Sequence, residues 1–213
     1  MYEHRAQSAS MKPAGLRPVY RNGEIEAGVD EAGRGCLAGP VFAAAVIWPE
    51  HLEQPLLDDS KKLSEKNRYL LREYIQAHAV AWSVQYVSNE EIDRVNIVNA
   101  TYSAMHMAIN GLGKKPSLLL IDGHGFTPHQ AIPHVCIVKG DGQYLSIAAA
   151  SILAKTYRDD FMIQLHKTHP EYRWNTNKGY ATAYHREALF RLGLSPFHRK
   201  SFQLIDTQLK FPF

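Results

Sequence analysis

Four acidic side chains stand beside glycines in this sequence, and they are the residues with which the chain could do chemistry. Asp30 and Glu31 are followed by the turn sequence Gly33-Arg34-Gly35, and Asp122 and Asp141 are each followed directly by a glycine. Because glycine has no side chain, it lets backbone N–H groups approach a ligand closely. Carboxylates that are brought together repel one another unless divalent cations neutralise them. The pattern indicates a divalent metal site beside a phosphate.

The acids follow apolar segments that predict three strands. Segments 24–30, 117–122 and 134–138 each end at or shortly before an acid, and their alternating or continuous apolar residues are typical of strands. Because ligands gather beyond the strand ends of an open α/β sheet, the carboxylates would converge there. Adjacent strand residues point to opposite faces, so Asp30 and Glu31 can share a ligand only where the first strand ends or bends. Each acid taken singly is an ordinary turn or strand-end residue, and only their coincidence favours a metal.

The side-chain chemistry of these acids selects among metals. Ligation by oxygen alone favours Mg²⁺ or Mn²⁺ over zinc, and no cysteine or histidine cluster has the spacing of a zinc site. Two such ions about 4 Å apart can activate a water molecule and stabilise the leaving oxygen of a phosphodiester. We therefore expect two divalent ions to act during phosphodiester hydrolysis.

Strand and helix patterns alternate along the rest of the chain, which predicts the α/β class. Segments 41–48 and 82–87 predict two further strands, and a Gly-Pro turn suggests that the strands at 24–30 and 41–48 form a hairpin. Helices are predicted at 65–78 with Ser64 as its cap, in a short segment after residue 88, at 96–110, at 146–167, and from the cap Thr182 to about residue 192. Residues 171–180 predict a polar-aromatic loop. Residues 1–22 show no apolar period, so we expect a disordered tail there.

The composition is that of an ordinary globular chain with an uneven charge distribution. Of the 213 residues, 45% are hydrophobic and 21% are charged, and no apolar run reaches the length of a membrane span. Residues 1–138 carry 13 basic and 15 acidic side chains, and residues 139–213 carry 11 and 6. This division fits a metal site that faces a polyanion groove, and it fits an ordinary soluble surface almost as well. Cys36 and Cys136 are the only cysteines and the N-terminus lacks an apolar signal core, so we expect a cytoplasmic protein.

Six blocks of the sequence resemble the motifs of ribonuclease HII, the type 2 ribonuclease H family, and follow one another in that family's order. The blocks are residues 28–41, 59–63, 121–123, 138–141, 146–155 and 178–180. The resemblance implies a ribonuclease-H-like mixed β-sheet flanked by helices, with a C-terminal helical extension. It implies a single domain at 23–213, with an α/β catalytic body at about 23–168 and the extension at about 169–213.

The resemblance also implies an activity and the residues that perform it. The family's four catalytic, metal-binding acids match Asp30, Glu31, Asp122 and Asp141. The family cleaves the RNA strand of RNA–DNA hybrids and nicks duplex DNA at single embedded ribonucleotides, with Mn²⁺ or Mg²⁺ as cofactor. We accordingly expect a monomeric endoribonuclease that cuts 5′ of a ribonucleotide and leaves 3′-hydroxyl and 5′-phosphate ends.

The resemblance assigns substrate contacts to the glycine turn and to Tyr180. The backbone of Gly33-Arg34-Gly35 would bind the 2′-hydroxyl, which is the only group that distinguishes RNA from DNA locally. Tyr180 would stack against the sugar on the DNA side of the junction, although without the resemblance a partly buried loop aromatic is the favoured interpretation. Basic residues supply candidate phosphate contacts, which as a set match a polyanion track, although any one of them could equally be a solvated surface charge. These candidates are Lys61, Lys62, Lys139, Lys155, Arg158 and Lys178.

The C-terminal segment Gln208–Phe213 lies outside the resemblance to the family. Its glutamine and hydrophobic residues resemble the short peptides that dock in grooves of bacterial sliding clamps. A clamp would be a second partner beside the nucleic acid. In the alternative, Phe211 and Phe213 fold back onto the enzyme's own helices.

Two other functions remain open at this point. One is a 3′–5′ exonuclease of the same sheet family, which would need a free end and would tolerate substrates made only of DNA. The other is a non-catalytic nucleic-acid-binding module that retains the fold. The four acids argue against the module, because unneutralised carboxylates that face phosphate would weaken binding.

Overall fold

The structure is a computed structural model in which residues 15–52, 54 and 63–203 are described. The strands are β1 (Glu26–Ala32), β2 (Val41–Ile47), β3 (Ala81–Val87), β4 (Leu118–Asp122) and β5 (His134–Ile137). The helices are α1 (Glu65–His78), α2 (Asn89–Val95), α3 (Ile97–Asn110), α4 (Leu145–Thr168), α5 (Trp174–Asn177) and α6 (Ala183–Leu192). Short 3-10 turns at Gly140–Gly142 and Pro170–Tyr172 flank α4. No helix in the described part of the chain is both long and apolar enough to cross a membrane.

Strand β1 lies at the centre of a five-stranded mixed sheet of order β3-β2-β1-β4-β5. It runs antiparallel to β2, which confirms the predicted hairpin, and parallel to β4. The pairing with β4 ends where Val29 lies opposite Ile121. Strand β1 therefore continues past its paired segment with β4, and Asp30 and Glu31 lie on this continuation.

Different helices cover the two faces of the sheet. Ala27 and Val29 point to the face covered by α3, where they join a buried cluster with Ala104. The other face is covered by α4, whose first half is almost entirely buried. A Cβ added at Gly28 would lie 2.3 Å from the backbone nitrogen of Ile147. The α4 backbone therefore rests directly on β1, immediately before the acidic pair.

Local capping residues set the helix ends that the sequence predicts. Ser64 Oγ accepts a hydrogen bond from Asn67 N at 3.2 Å at the start of α1. Thr182 Oγ1 accepts one from His185 N at 3.3 Å at the start of α6, and Gly193 follows the end of that helix. These side chains bind N–H groups that have no partner within the helix. The predicted bounds of α1 are confirmed, and α6 begins directly after its predicted cap.

Part of the predicted N-terminal tail is attached to the body. Arg17 N donates to Gln143 O at 2.8 Å, and Leu145 N donates to Arg17 O at 3.0 Å. The Arg17 guanidinium also lies 4.3 Å from the centre of the Tyr144 ring. Backbone hydrogen bonds and a cation–π contact therefore fix this segment beside the start of α4. Residues 1–14 lie outside the described chain.

The polar segment 171–180 contains more regular structure than the loop predicted there. It includes the end of a 3-10 turn and the short helix α5. The ring of Trp174 is fully buried and stacks on Tyr172 with 5.1 Å between ring centroids. Tertiary packing around this tryptophan orders the segment, and a polar composition gives no sign of it.

Candidate active site

Three of the four predicted acids line one cavity beside the end of β4. Asp30, Glu31 and Asp122 surround a space of about 270 Å³. The rest of the wall comes from the turn after β1, from α1 and α4, and from the segment before α6. Those wall residues are Ala32, Gly33, Arg34, Gly35, Arg68, Ser151, Lys155 and Tyr180. The cavity thus unites the three acids with Gly33, Arg34, Gly35, Lys155 and Tyr180. Of the other predicted substrate contacts, Lys139, Arg158 and Lys178 do not line it, and Lys61 and Lys62 lie outside the described chain.

Asp30 and Glu31 reach this cavity from opposite faces of a continuous strand. Both remain paired with β2, opposite Ala44 and Ala43. The prediction that the strand ends or bends at the acidic pair is therefore wrong. Pairing with β4 stops at Val29, and past that point the open edge of β1 lets side chains from both faces enter the same space.

The two acids have different neighbours because they lie on different faces. Asp30 is buried on the α4 side, where its carboxylate accepts hydrogen bonds from Glu31 N at 2.7 Å and from the Ser151 side chain. Glu31 lies 3.7 Å from Arg34 Nη1. It also lines a second cavity on the α3 side, together with Thr101.

Burial and mutual repulsion raise the pKa of both acids. Burial raises the pKa of Asp30 well above 3.8, and the charges of Glu31 and Asp122 raise it further. Burial also raises the pKa of Glu31, and the charge of Arg34 opposes that shift. A divalent cation stabilises carboxylates that repel one another in this way. The oxygen donors of the cavity therefore fit Mg²⁺ or Mn²⁺.

Asp141 lies on a different element from the other three acids. It is buried in the 3-10 turn Gly140–Gly142 and does not line the cavity. The turn is attached to the site because Gly140 N donates to Asp122 Oδ1 at 2.7 Å. Within the described chain, no three acidic, histidine or cysteine side chains are placed close enough to hold one ion. The three cavity acids supply suitable donor atoms, but their side chains do not form a closed ligand set as placed.

A positive φ and a buried arginine shape the glycine turn. Gly33 has a φ of +90°, which residues with side chains rarely adopt. A Cβ at this position would lie 1.8 Å from Arg158 Nε. Arg158 is itself fully buried and donates to three backbone carbonyls. The prediction that Arg158 contacts phosphate is wrong, because its guanidinium is occupied inside the protein.

Lys155 and Tyr180 face the cavity together. Lys155 Nζ lies 5.7 Å from the centre of the Tyr180 ring and 2.6 Å from Asp159 Oδ1. Tyr180 keeps 40% of its surface exposed, and burial together with the neighbouring Cys36 raises the pKa of its hydroxyl. A partly exposed ring is suited to stacking against a sugar or base. Lys178, in contrast, is almost buried and its Nζ donates to a backbone carbonyl.

A buried histidine pair holds the backbone of Tyr180. His185 Nδ1 lies 2.8 Å from Tyr180 O, and His185 Nε2 lies 3.1 Å from His198 Nε2. Ser195 N donates to His198 Nδ1, so the proton of His198 is on Nε2 and is donated to His185. His185 then carries its own proton on Nδ1 and donates it to Tyr180 O. Burial lowers the pKa of both rings, that of His198 to about 4, so both are neutral at neutral pH.

Some predicted residues cannot be placed, and some wall residues were not predicted. Lys61, Lys62 and Gln208–Phe213 lie outside the described residues. Arg68 on α1 and Ser151 on α4 line the cavity without having been singled out from the sequence. Ser151 lies inside one of the motif blocks, which could have indicated it. Arg68 carries no such signal, because its approach to the cavity depends on where α1 packs.

The fold and the cavity define a nuclease of the ribonuclease H class. The sequence matches the family model described as Ribonuclease HII over residues 27–205. A Ribonuclease HII from Parabacteroides distasonis is 59% identical, and the match covers 93% of this chain and 100% of that protein. A Ribonuclease HII from Bacteroides thetaiotaomicron is 56% identical over 93% and 100% of the two chains. The chain belongs to the ribonuclease HII family.

Solved structures agree with this assignment. A ribonuclease HII from Archaeoglobus fulgidus, solved in complex with PCNA, is 28% identical with a TM-score of 0.71 over 87% of this chain and 98% of that one. The ribonuclease H2 from Pyrococcus horikoshii is 25% identical with a TM-score of 0.70 over 84% and 94%. The predicted family and fold are confirmed, and the protein is a metal-dependent ribonuclease H, an endonuclease that acts on RNA paired with DNA.

Proposed function

We propose that this enzyme recognises single ribonucleotides in duplex DNA as well as continuous hybrids, and cuts on their 5′ side. The observation that carries the proposal is one cavity lined by three acids, by the glycine turn and by Tyr180. A backbone turn that binds a 2′-hydroxyl and a ring that stacks on the next sugar together select a ribonucleotide followed by a deoxynucleotide. The acids lie beside the turn, so the phosphate next to that ribonucleotide reaches them.

All four acids would act as metal ligands in the proposed reaction. Asp30, Glu31 and Asp122 would hold the divalent ions, together with Asp141 from the turn that is hydrogen-bonded to Asp122. Ions held there would supply activation of a water molecule and stabilisation of the leaving oxygen, for a cleavage that leaves 3′-hydroxyl and 5′-phosphate ends. Arg34, whose side chain is half exposed, offers a fixed positive charge to the substrate phosphates.

Cleavage mapping tests this function directly. The substrate is a DNA duplex that contains one ribonucleotide and is labelled at each end in turn, with Mn²⁺ or Mg²⁺ present. We expect one cut, 5′ of the ribonucleotide, and no cut in the same duplex made only of DNA. A covalently closed RNA–DNA circle should also be nicked, which an exonuclease that needs a free end cannot do. Cutting of the all-DNA duplex, or resistance of the closed circle, contradicts the proposal.

Tyr180→Ala should impair cleavage of single-ribonucleotide duplexes more than cleavage of continuous hybrids. A lost stacking contact costs about 1–3 kcal/mol. Every cleavage of a single-ribonucleotide duplex places the RNA-to-DNA junction against Tyr180, whereas a continuous hybrid can be cut with no junction there. The measurement is kcat/KM on both substrates. Tyr180→Phe is the matched control, because it keeps the ring and removes only the hydroxyl. Equal losses on the two substrates would show that Tyr180 only packs the loop.

We also propose that Gln208–Phe213 docks on a sliding clamp. The support is the peptide's own sequence and the Archaeoglobus fulgidus relative, which was solved in complex with PCNA. A tether to a clamp would raise the local concentration of the enzyme on DNA. Deleting residues 208–213 should leave cleavage of a short duplex unchanged and abolish binding to the clamp of the same organism, measured by surface plasmon resonance. Loss of thermal stability on deletion, with no clamp binding by the intact chain, would instead show that the segment packs on the enzyme.

A further inference from the structure

Two fully buried arginines lie beneath the glycine turn, Arg158 on α4 and Arg199 after α6. Within the described chain neither of them forms an ion pair with a carboxylate. A buried charge is costly unless hydrogen bonds compensate for its lost hydration. Burial and the charge of Arg158 lower the pKa of Arg199 to about 10, so its guanidinium is still charged at neutral pH. Among the described residues, both guanidinium groups donate their hydrogen bonds to backbone carbonyls alone.

Arg199 holds the turn itself. Its Nη2 donates to Gly33 O at 2.8 Å, and its Nη1 donates to Arg34 O at 2.9 Å. Its Nε donates to Gly39 O at 2.9 Å, at the far end of the same loop. One planar side chain therefore fixes both ends of the loop that joins β1 to β2.

Arg158 connects this loop to the segment that carries Tyr180. Its Nε and Nη2 donate to Pro40 O and Ala38 O, each at 3.1 Å, and its Nη1 donates to Lys178 O at 2.7 Å. Its guanidinium carbon lies 5.9 Å from the centre of the Tyr180 ring. The glycine turn and Tyr180, which are far apart in the sequence, are thereby joined through one buried side chain.

The hydrogen bonds from Arg199 to the carbonyls of the turn determine where the N–H groups of the turn point. In a trans peptide the C=O and N–H bonds point to opposite sides. Because the carbonyls of Gly33 and Arg34 point inward to Arg199, the N–H groups of Arg34 and Gly35 point away from it. Both residues line the cavity, so these donors are available to a ligand there.

We propose that Arg158 and Arg199 are positioning residues that hold the Gly33–Gly35 turn and Tyr180 as one ribonucleotide-binding unit. The inference rests on the proposed function of the cavity. Lysine cannot replace arginine here, because its ammonium lacks the planar fork that reaches three carbonyls at fixed angles. Gly33 also packs so closely against Arg158 that the turn has no space for a side chain at this position.

Binding selectivity tests the proposal without catalysis. Fluorescence anisotropy in EDTA gives the Kd for a duplex with one ribonucleotide and for the same duplex made only of DNA. Arg199→Lys and Arg158→Lys should each reduce the ratio of the two affinities by about tenfold, the effect of losing hydrogen bonds to a charged group. Arg191→Lys is the matched control, since Arg191 lies exposed on α6 and away from the cavity, and it should keep the ratio of the wild type.

A merely structural role of the pair gives a different result. It lowers the fraction of folded protein and leaves the ratio of affinities unchanged, and that outcome in folded Arg199→Lys or Arg158→Lys overturns the proposal. If neither variant folds, NMR of the wild type decides: the amide protons of Arg34 and Gly35 should shift with the ribonucleotide duplex and stay in place with the all-DNA duplex. Unshifted amides also overturn the inference. Absence of any preference by the wild-type enzyme would instead refute the proposed function.

Discussion

Replacing Asp30 by asparagine is expected to remove most of the turnover while leaving the fold at least as stable. Asparagine keeps the shape and the carbonyl oxygen of the side chain but supplies no charge to a divalent ion. We therefore expect turnover to fall by several orders of magnitude. Burial and the charges of Glu31 and Asp122 raise the pKa of Asp30, so an ionised Asp30 lowers the free energy of unfolding at neutral pH. The neutral amide removes that penalty.

The difference in unfolding free energy between the wild type and Asp30→Asn should shift in favour of the wild type as the pH falls. Because the native-state pKa of Asp30 is raised, the wild type gains stability relative to Asp30→Asn as the pH falls through that raised value. The gain is complete below the unfolded-state value of about 3.8. Urea denaturation of both proteins at a series of pH values measures this gain in stability. A wild type that is the more stable protein at neutral pH would contradict the electrostatic account.

A carboxylate outside the cavity provides the control for activity. Asp160 on α4 accepts hydrogen bonds from Tyr69 and from Arg72 Nη1, at 2.6 and 2.5 Å. Asp160→Asn should lose part of this contact with α1 and some stability, but it should retain cleavage. Near-normal cleavage by folded Asp30→Asn would falsify the catalytic assignment, and activity that survives complete chelation would exclude the divalent ions.

Gly28→Ala should be among the most destabilising single changes in the chain. The new Cβ would lie 2.2 Å from Ser146 C and 2.3 Å from Ile147 N, and both atoms belong to the α4 backbone. A flexible side chain could move aside, but a helix that is packed along the whole strand cannot. We expect a loss of about 3 kcal/mol, at the upper end of what overpacking costs, because α4 must move away from β1.

Gly35→Ala is the matched control for this substitution. A Cβ at Gly35 meets no heavy atom within 4 Å, and the φ of this glycine is not in the positive range. Its unfolding midpoint in urea should therefore remain close to that of the wild type. Equal midpoints for Gly28→Ala and Gly35→Ala would show that the distance between α4 and β1 is not the constraint inferred from the structure.

The sequence by itself determined the local elements and the family. The bounds of α1 agree with its prediction, and α6 begins directly after its predicted cap, because Ser64 and Thr182 bind N–H groups within the next few residues. The strand that ends in Asp122 is apolar over its whole length, which is typical of a strand buried on both faces. The motif blocks identified the family because their order and spacing are specific. All of these signals act between residues that are close in the sequence.

Only the tertiary structure decided how the acids meet. Asp30 and Glu31 share a cavity because β4 stops pairing at Val29 and leaves the edge of β1 open, and no pattern within β1 reports the length of a neighbouring strand. The occupation of Arg158 by backbone carbonyls depends likewise on loops that are distant in the sequence, so its charge alone predicted a phosphate contact. The position of Asp141 outside the cavity follows from the 3-10 turn that buries it. Contacts across the sheet and between distant loops set these features, and such contacts exist only once the chain has folded.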